Sequence, residues 1–392
     1  MDLLLIKIGK AWSALRADGL RRGSARIIRA LFKSFRRVGS GDILFIASGV
    51  GMSAEYRCHH TAEELRLHGF RTSVTVQDNP LLVGYADKFS VFVFHRTLVT
   101  PSVAKLIEAI KLQGKEIIFE TDDLVYDPKY LEHMDYYKKM NPLERKLYEN
   151  GVGGEIVRDP YVTTCTTTTS YLADKLRECG KRVIIVPNRM KAEDMAISEE
   201  VLAQGLDKFG GESAVSIGYF SGTPSHNKDF ATIVPALLAI LERYPETRLV
   251  LVGPLDTDDA LQRFADRVDV LSFVPWKEHL TNVSRVTINV AALEIGNPFC
   301  ESKSAIKYLE AGLMRVPTVA SATQAFCDAI EDGVDGFTAA TTEEWVAKLS
   351  QLIESPELRA TMADRARAKV LADYTVAHAR NEEYYEYLRS KM

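Results

Sequence analysis

Short apolar runs of strand character alternate with helix-length stretches along almost the whole chain, and the alternation occurs twice. In the first half the runs fall at 42–47, 71–76, 91–94, 116–120, 161–169 and 183–186; in the second at 216–220, 249–252, 270–274, 287–291 and 316–320. Strands covered on both faces must be apolar throughout, and parallel neighbours need a crossover between them, usually a helix. The pattern predicts an α/β protein with two doubly wound parallel sheets. A chain of 392 residues is long enough to give each sheet its own core.

Composition narrows the classes. With 46% hydrophobic and 26% charged residues the chain reads as soluble and globular. Cys58, Cys165, Cys179, Cys300 and Cys327 lie far apart with no C-x-x-C pair, which predicts a reducing, cytoplasmic setting and no structural zinc. No apolar run approaches bilayer length. Leu3 to Ile6 is too short for a signal-peptide core, and its positive charges follow it.

The net charge of −4 hides an asymmetry: residues 1–40 carry ten Lys/Arg and two Asp, a net of +8, leaving −12 for 41–392. Arg22, Arg26, Arg29, Lys33 and Arg36 fall on one helical stripe, beside Ile27, Ile28, Leu31, Phe32 and Phe35. Such a basic amphipathic helix suits an anionic membrane surface. It equally suits docking on the protein body with a solvated basic face. Nucleic acid is not expected, because no aromatic platform or binding module accompanies the charge.

The segment 297–321 carries the clearest chemistry. It reads as loop, helix, turn and buried strand, with Ser302 or Ser304 able to cap the helix and Gly312 to end it. Lys303, Lys307 and Glu310 are spaced to share one helix face. Seven residues of helix rise roughly 10 Å, about the span from a diphosphate to the far ribose hydroxyls. Cations and free N–H groups at a helix start suit phosphate, and a carboxylate two turns on suits a sugar diol. An exposed Lys/Lys/Glu stripe would give the same spacing.

Other strand-to-helix junctions supply further candidates. Ser221-Gly-Thr-Pro-Ser-His-Asn-Lys228 is a small-residue loop with His226 and Lys228, of the kind that cradles a diphosphate, though a solvated turn would also fit. Ser48-Gly-Val-Gly-Met-Ser53 follows the first strand, and Gly49 and Gly51 would permit close backbone approach or simply form a turn. His95 and Arg96 end the third strand and would face a crevice, with a structural histidine as the alternative. Asp122 and Asp123 are adjacent rather than spaced, so turn chemistry or acceptor contact is expected before metal binding. Gly151-Val-Gly-Gly154 reads as a flexible loop in a polar stretch, 126–160, suited to an acceptor site or lid.

Glu-Ser-Lys-Ser-Ala-Ile-Lys-Tyr-Leu-Glu-Ala-Gly, continuing through Val-Pro-Thr-Val-Ala-Ser321, resembles the donor-site segment of GT-B glycosyltransferases, in particular the GT4-like group (glycosyl transferases group 1). That resemblance implies two Rossmann-like doubly wound domains facing a cleft: an acceptor domain over 41–190, a nucleotide-sugar donor domain over 191–375, and a final helix, 376–392, returning to the first. It implies that Glu310 holds the donor ribose. Ser302 stands where the family has the first Glu of its E-x7-E pair, and Lys303 is the candidate replacement. Lys228 corresponds to the family's phosphate-binding Lys. Tyr219 stands where the family has an Arg, with His226 the candidate to compensate. Trp276 falls near the nucleotide base, and Ser221, Gly222, Ser302 and Ser304 near the diphosphate. Arg57 lies in a crossover segment that resembles the family's entry to the acceptor domain and joins Gly49, Gly51, His95 and Arg96 as acceptor or cleft candidates.

The expected activity is metal-independent, retaining transfer of a sugar from a nucleotide-sugar to a glycan or lipid-linked glycan. The setting would be bacterial surface polysaccharide synthesis, in the cytoplasm or at the inner face of its membrane. The competing reading is a degenerate nucleotide-sugar-binding scaffold; an epimerase or phosphorylase of the same architecture is a second rival.

Overall fold

The computed structural model describes Ser24, Ile28 and residues 35–392, apart from 135–136, 139, 212–213, 223–226 and 256–258. Most of the basic segment 1–40, and His226, therefore lie outside the described residues. The chain divides into two compact units. One draws on Met1–Glu132, Tyr137–Arg189 and Arg380–Met392, the other on His133–Tyr136 and Met190–Ala379.

The first unit is built on six strands: β1 (Ile43–Ala47), β2 (Thr72–Val76), β3 (Val91–His95), β4 (Glu116–Thr121), β5 (Thr164–Thr167) and β6 (Arg182–Ile185). They pair in parallel in the order β2-β1-β3-β4-β5-β6. β1 and β3 are buried at every position, as a central strand covered on both faces must be. Crossover helices start at capped positions: Thr100 accepts from Val103 N ahead of Pro101–Leu112, and Thr169 from Leu172 N ahead of Ser170–Arg177. The last helix, Glu382–Arg389, puts Tyr384, Tyr385, Tyr387 and Leu388 into the same core as Ile43, Val91, Ile118 and Ile184.

Two local expectations in this unit need correction. The crossover segment that carries Arg57, readable in the sequence as a plain helix over 56–68, is helical from Met52 to Leu67, with a π-helical turn at Glu55–His60 that turns Arg57 and His60 inward. The loop at Gly151–Gly154 is packed, not flexible. Val152 N donates to Val125 O at 2.7 Å, and Gly151 has φ +77° with its missing Cβ only 1.9 Å from Tyr126 O. Glycine is required there by both backbone conformation and space.

The second unit contains β7 (Ser216–Phe220), β8 (Arg248–Val252), β9 (Val268–Leu271), β10 (Ile288–Ala291), β11 (Thr318–Ser321) and β12 (Phe337–Ala339), ordered β12-β11-β10-β7-β8-β9 and all parallel. Strand order reverses between β1 and β3 in one sheet and between β7 and β10 in the other. Crevices at the carboxyl ends of the strands at such points are where open α/β sheets hold ligands. The strand expected at 270–274 ends at Leu271, leaving Phe273 exposed. β12 lies beyond the runs legible in the sequence: it has three residues, follows Asp-Gly, and is fixed by its pairing with β11.

The helix expected from Ser302 begins later, and a shorter helix precedes it. Asn297 caps Pro298–Glu301, its Oδ1 accepting from Phe299 N at 3.0 Å; the second helix, Ile306–Leu313, begins after Ala305 with no side-chain cap. Neither Ser302 nor Ser304 caps it. Lys303 precedes the second helix, so only Lys307 and Glu310 of the expected stripe share it.

Candidate active site

In the second unit the residues after β7 and β10 are tied together from beneath. Ser221, buried, donates its N–H to Val252 O at 2.8 Å, while Gly222 is exposed. Lys228 is exposed on the first turn of the helix Asn227–Arg243, and its neighbour Asp229 is buried. Asp229 Oδ1 accepts from Glu294 N and from the Cys300 thiol, each at 3.2 Å. The segment after β10 is thus anchored to the helix after β7.

Glu301, one residue out of register with the family's first Glu, is occupied by the backbone: Oε1 accepts from Gly296 N at 2.9 Å and Oε2 from Gln324 N at 3.2 Å. Ser302 is fully buried and donates to Phe299 O at 2.8 Å, so its side chain faces its own turn. That corrects the expectation that Ser302 offers its hydroxyl to a donor. Lys303 lies with its ammonium 5.0 Å from the Phe299 ring centroid, and Ser304 is half-buried.

Glu310 is 14% exposed at its side chain, and His279 Nε2 donates to its Oε2 at 3.1 Å. His279 is itself held by rings, edge-on to Phe220 at 5.4 Å and stacked on Trp276 at 5.5 Å. Trp276 Nε1 donates to Asp194 Oδ1 at 2.8 Å, which fixes the indole at the start of the helix Trp276–Arg285. One turn before Glu310, the Lys307 ammonium sits 4.6 Å from the Tyr219 ring centroid. Burial lowers its pKa against the opposing pull of Asp229, Glu310 and Cys300.

The first unit carries a second polar cluster at its strand ends. The register of β3 with β4 sets His95 beside Glu120. Glu120 accepts from His95 Nδ1 through one oxygen and from Arg57 Nε, at 2.7 Å, through the other. Arg57 also donates to Val186 O at 2.7 Å and Asn188 Oδ1 at 3.0 Å. His95 Nε2 lies 2.9 Å from Ser53 Oγ, which donates to Asp122 Oδ2 at 2.7 Å. Arg96, held at φ +48°, pairs with Asp122 at 3.1 Å and Asp123 at 3.5 Å. Burial would raise the Asp122 carboxyl, but Arg96, His95 and the Ser53 hydroxyl outweigh it and hold it below the ordinary carboxylate range.

Arg57 and His95 are each 1% exposed, so the structure corrects their expected place on an open face: both are interior members of this network. Arg96 is partly exposed. Gly49 and Gly51 are on the surface, and a Cβ at either would meet nothing within 4 Å, so packing does not demand glycine there. Asp123 takes the expected turn role, accepting from Val125 N at 2.8 Å.

Asp229, Glu294 and Cys300 bring three potential metal-binding atoms within 4.8 Å of one another among the described residues. Burial and Asp229 both push the Cys300 thiol up, so it keeps the proton it donates to Asp229.

Sequence reasoning passed over Ser53, Glu120, Asp229 and His279. Glu120 closes a strand, as His95 does, which was a visible signal; His279 lies one turn after Trp276, which was not.

The paired sheets and their strand orders define a GT-B fold. HepE from Anabaena, solved in complex with UDP, is similar over 89% of this chain and 100% of its own, at 16% identity and TM-score 0.58. Sucrose-phosphate synthase from Thermosynechococcus elongatus aligns over 89% and 100% at 13% identity and TM-score 0.60. A glycosyltransferase from Rickettsia africae aligns over 91% and 100% at 12% identity and TM-score 0.60. At these identities the likeness is one of fold. No curated protein matches the chain in sequence. Residues 214–355 match the family described as Glycosyl transferases group 1. The matched stretch contains the central segment whose likeness to this group is visible in the sequence. Among the described residues, no helix is long and apolar enough to cross a membrane.

Proposed function

We propose that this protein transfers a sugar from a nucleotide-sugar to a hydroxyl of a glycan or lipid-linked glycan, without a metal and with retention at the anomeric carbon. The reading rests on one observation: Glu310 is partly exposed and oriented by His279 on the helix that the family uses for its donor. HepE, of the same fold, was solved with UDP. Glu310 would accept from the ribose diol, with Lys228, Lys303 and the Ser221–Gly222 backbone at the diphosphate. The bond from the anomeric carbon to the phosphate oxygen breaks and leaves its electron pair on the diphosphate. Fixed cations and N–H dipoles stabilise that charge. The acceptor oxygen bonds the same carbon, and its proton passes to the departing diphosphate. Work on bacterial surface polysaccharide at the cytoplasmic face of the membrane fits this donor chemistry, with the basic segment 1–40 as the membrane contact.

Calorimetry with UDP, GDP and dTDP on wild type and Glu310→Ala is the test. Glu310→Ala is expected to weaken nucleotide binding about tenfold, or ~1.4 kcal/mol, with the fold intact. Unchanged affinity would remove Glu310 from the site. A second reading, a binding scaffold without turnover, is favoured by Ser302 facing its own turn and Glu301 being held by two backbone N–H groups. Nucleotide binding with no transfer or donor hydrolysis on any acceptor would establish it.

A further inference from the structure

Tyr219 stands where related transferases carry an arginine. Its side chain is fully buried near the end of β7, with its ring 4.9 Å from that of Phe230. Against it lies the Lys307 ammonium, 4.6 Å from the ring centroid, brought there by a helix 88 positions further along the chain. The Lys307 nitrogen is itself buried and has no hydrogen-bond partner among the described residues. Asp229, whose charge favours the protonated lysine, accepts from Glu294 N and the Cys300 thiol through one oxygen. An ammonium withdrawn from water with its donors unused is costly unless an anion completes it. An aromatic face steadies a cation without neutralising it.

We propose that Lys307 is the missing cation: its ammonium, seated on the Tyr219 ring, receives the diphosphate of the nucleotide-sugar in place of the family's arginine. The inference rests on the donor reading above. His226 is then not needed as the substitute. The groups facing Lys307 are Asp229 from the helix after β7, Cys300 and Lys303 from the preceding segment, Glu310 on its own helix and Tyr219 on β7. Because burial disfavours the charged lysine, an arriving diphosphate strengthens its hold on the proton. Nucleotide affinity is therefore highest at low pH and falls as pH rises through the range of the bound lysine.

The test compares UDP, GDP and dTDP with their nucleosides by calorimetry on wild type, Lys307→Met and Lys307→Arg. For the nucleotide that wild type binds, Lys307→Met is expected to lose at least tenfold in diphosphate affinity and less than twofold for the nucleoside. Lys307→Arg should keep most of the difference. Equal diphosphate affinity in Lys307→Met and wild type would overturn the proposal and make Lys307 a core lysine, leaving the donor reading in place. If wild type binds none of the three, the donor reading falls and this inference with it. Should Lys307→Met fail to fold, the pH series on wild type decides. A diphosphate-to-nucleoside affinity ratio that declines between pH 7 and 10 supports the role, and a flat one rejects it.

Discussion

In the first unit the polar side chains near the strand ends are met by carboxylates supplied by the protein: Arg57 and His95 by Glu120, Arg96 by Asp122 and Asp123. In the second, Lys307 faces the Tyr219 ring, and Glu310 accepts from a ring nitrogen of His279. Both clusters follow strands next to the point where strand order reverses, yet one is closed on itself and the other is unfinished. A closed network keeps its shape and has little left to offer a ligand. An unfinished one marks where an outside group completes the valence.

The strongest way to break this contrast is to open the closed cluster. Arg57→Met leaves Glu120 buried beside one partner instead of two, and a destabilisation of about 3–5 kcal/mol is expected, read by denaturant unfolding. A loss under about 1 kcal/mol would mean that the network is less saturated than its geometry indicates. A smaller effect comes from its edge. The folded Asp122 carboxyl lies below its ordinary value of 3.8, so it adds stability above that pH, which is lost as pH falls below it. Asp122→Asn should cost about 1–2 kcal/mol at pH 7, and its stability should vary less than wild type below pH 4, where acid titration followed by circular dichroism would show it. The finest probe is in the open cluster. His279→Phe keeps a ring against Phe220 and Trp276 but removes the bond to Glu310. Nucleotide affinity should fall about two- to fivefold, equivalent to roughly 0.4–1 kcal/mol, with the melting temperature nearly unchanged.

How much of this could be read from the chain follows from the range of the forces involved. The inner strands are the most visible because burial on two faces writes an unbroken apolar run, as in Ile43–Ala47 or 249–252. β12 escapes because three residues next to an Asp-Gly turn carry too little pattern. The break between Glu301 and Ile306 is set by Ser302 bonding to its own turn and Asn297 capping a helix of four residues, both of which propensity alone leaves undecided. Arg57 and His95 look like cleft residues because they are charged or polar, and only the register of β3 with β4 reveals the carboxylate that takes them inward. Lys307 was visible as part of a stripe; its seat on Tyr219 was not, because that contact joins distant parts of the chain.

The helix Glu382–Arg389 completes the core of the unit that the beginning of the chain starts. Tyr385 donates to Glu64 at 2.6 Å, Tyr387 to Glu116 at 2.6 Å and Thr164 at 2.8 Å, and Asn381 to Ile185 O at 2.9 Å. On the ribosome, Glu64 and Glu116 of the first-made sheet therefore lack these tyrosines until synthesis has passed Tyr387. The second unit lies wholly upstream of that closing helix, so all of its residues are made before the first unit has its full set.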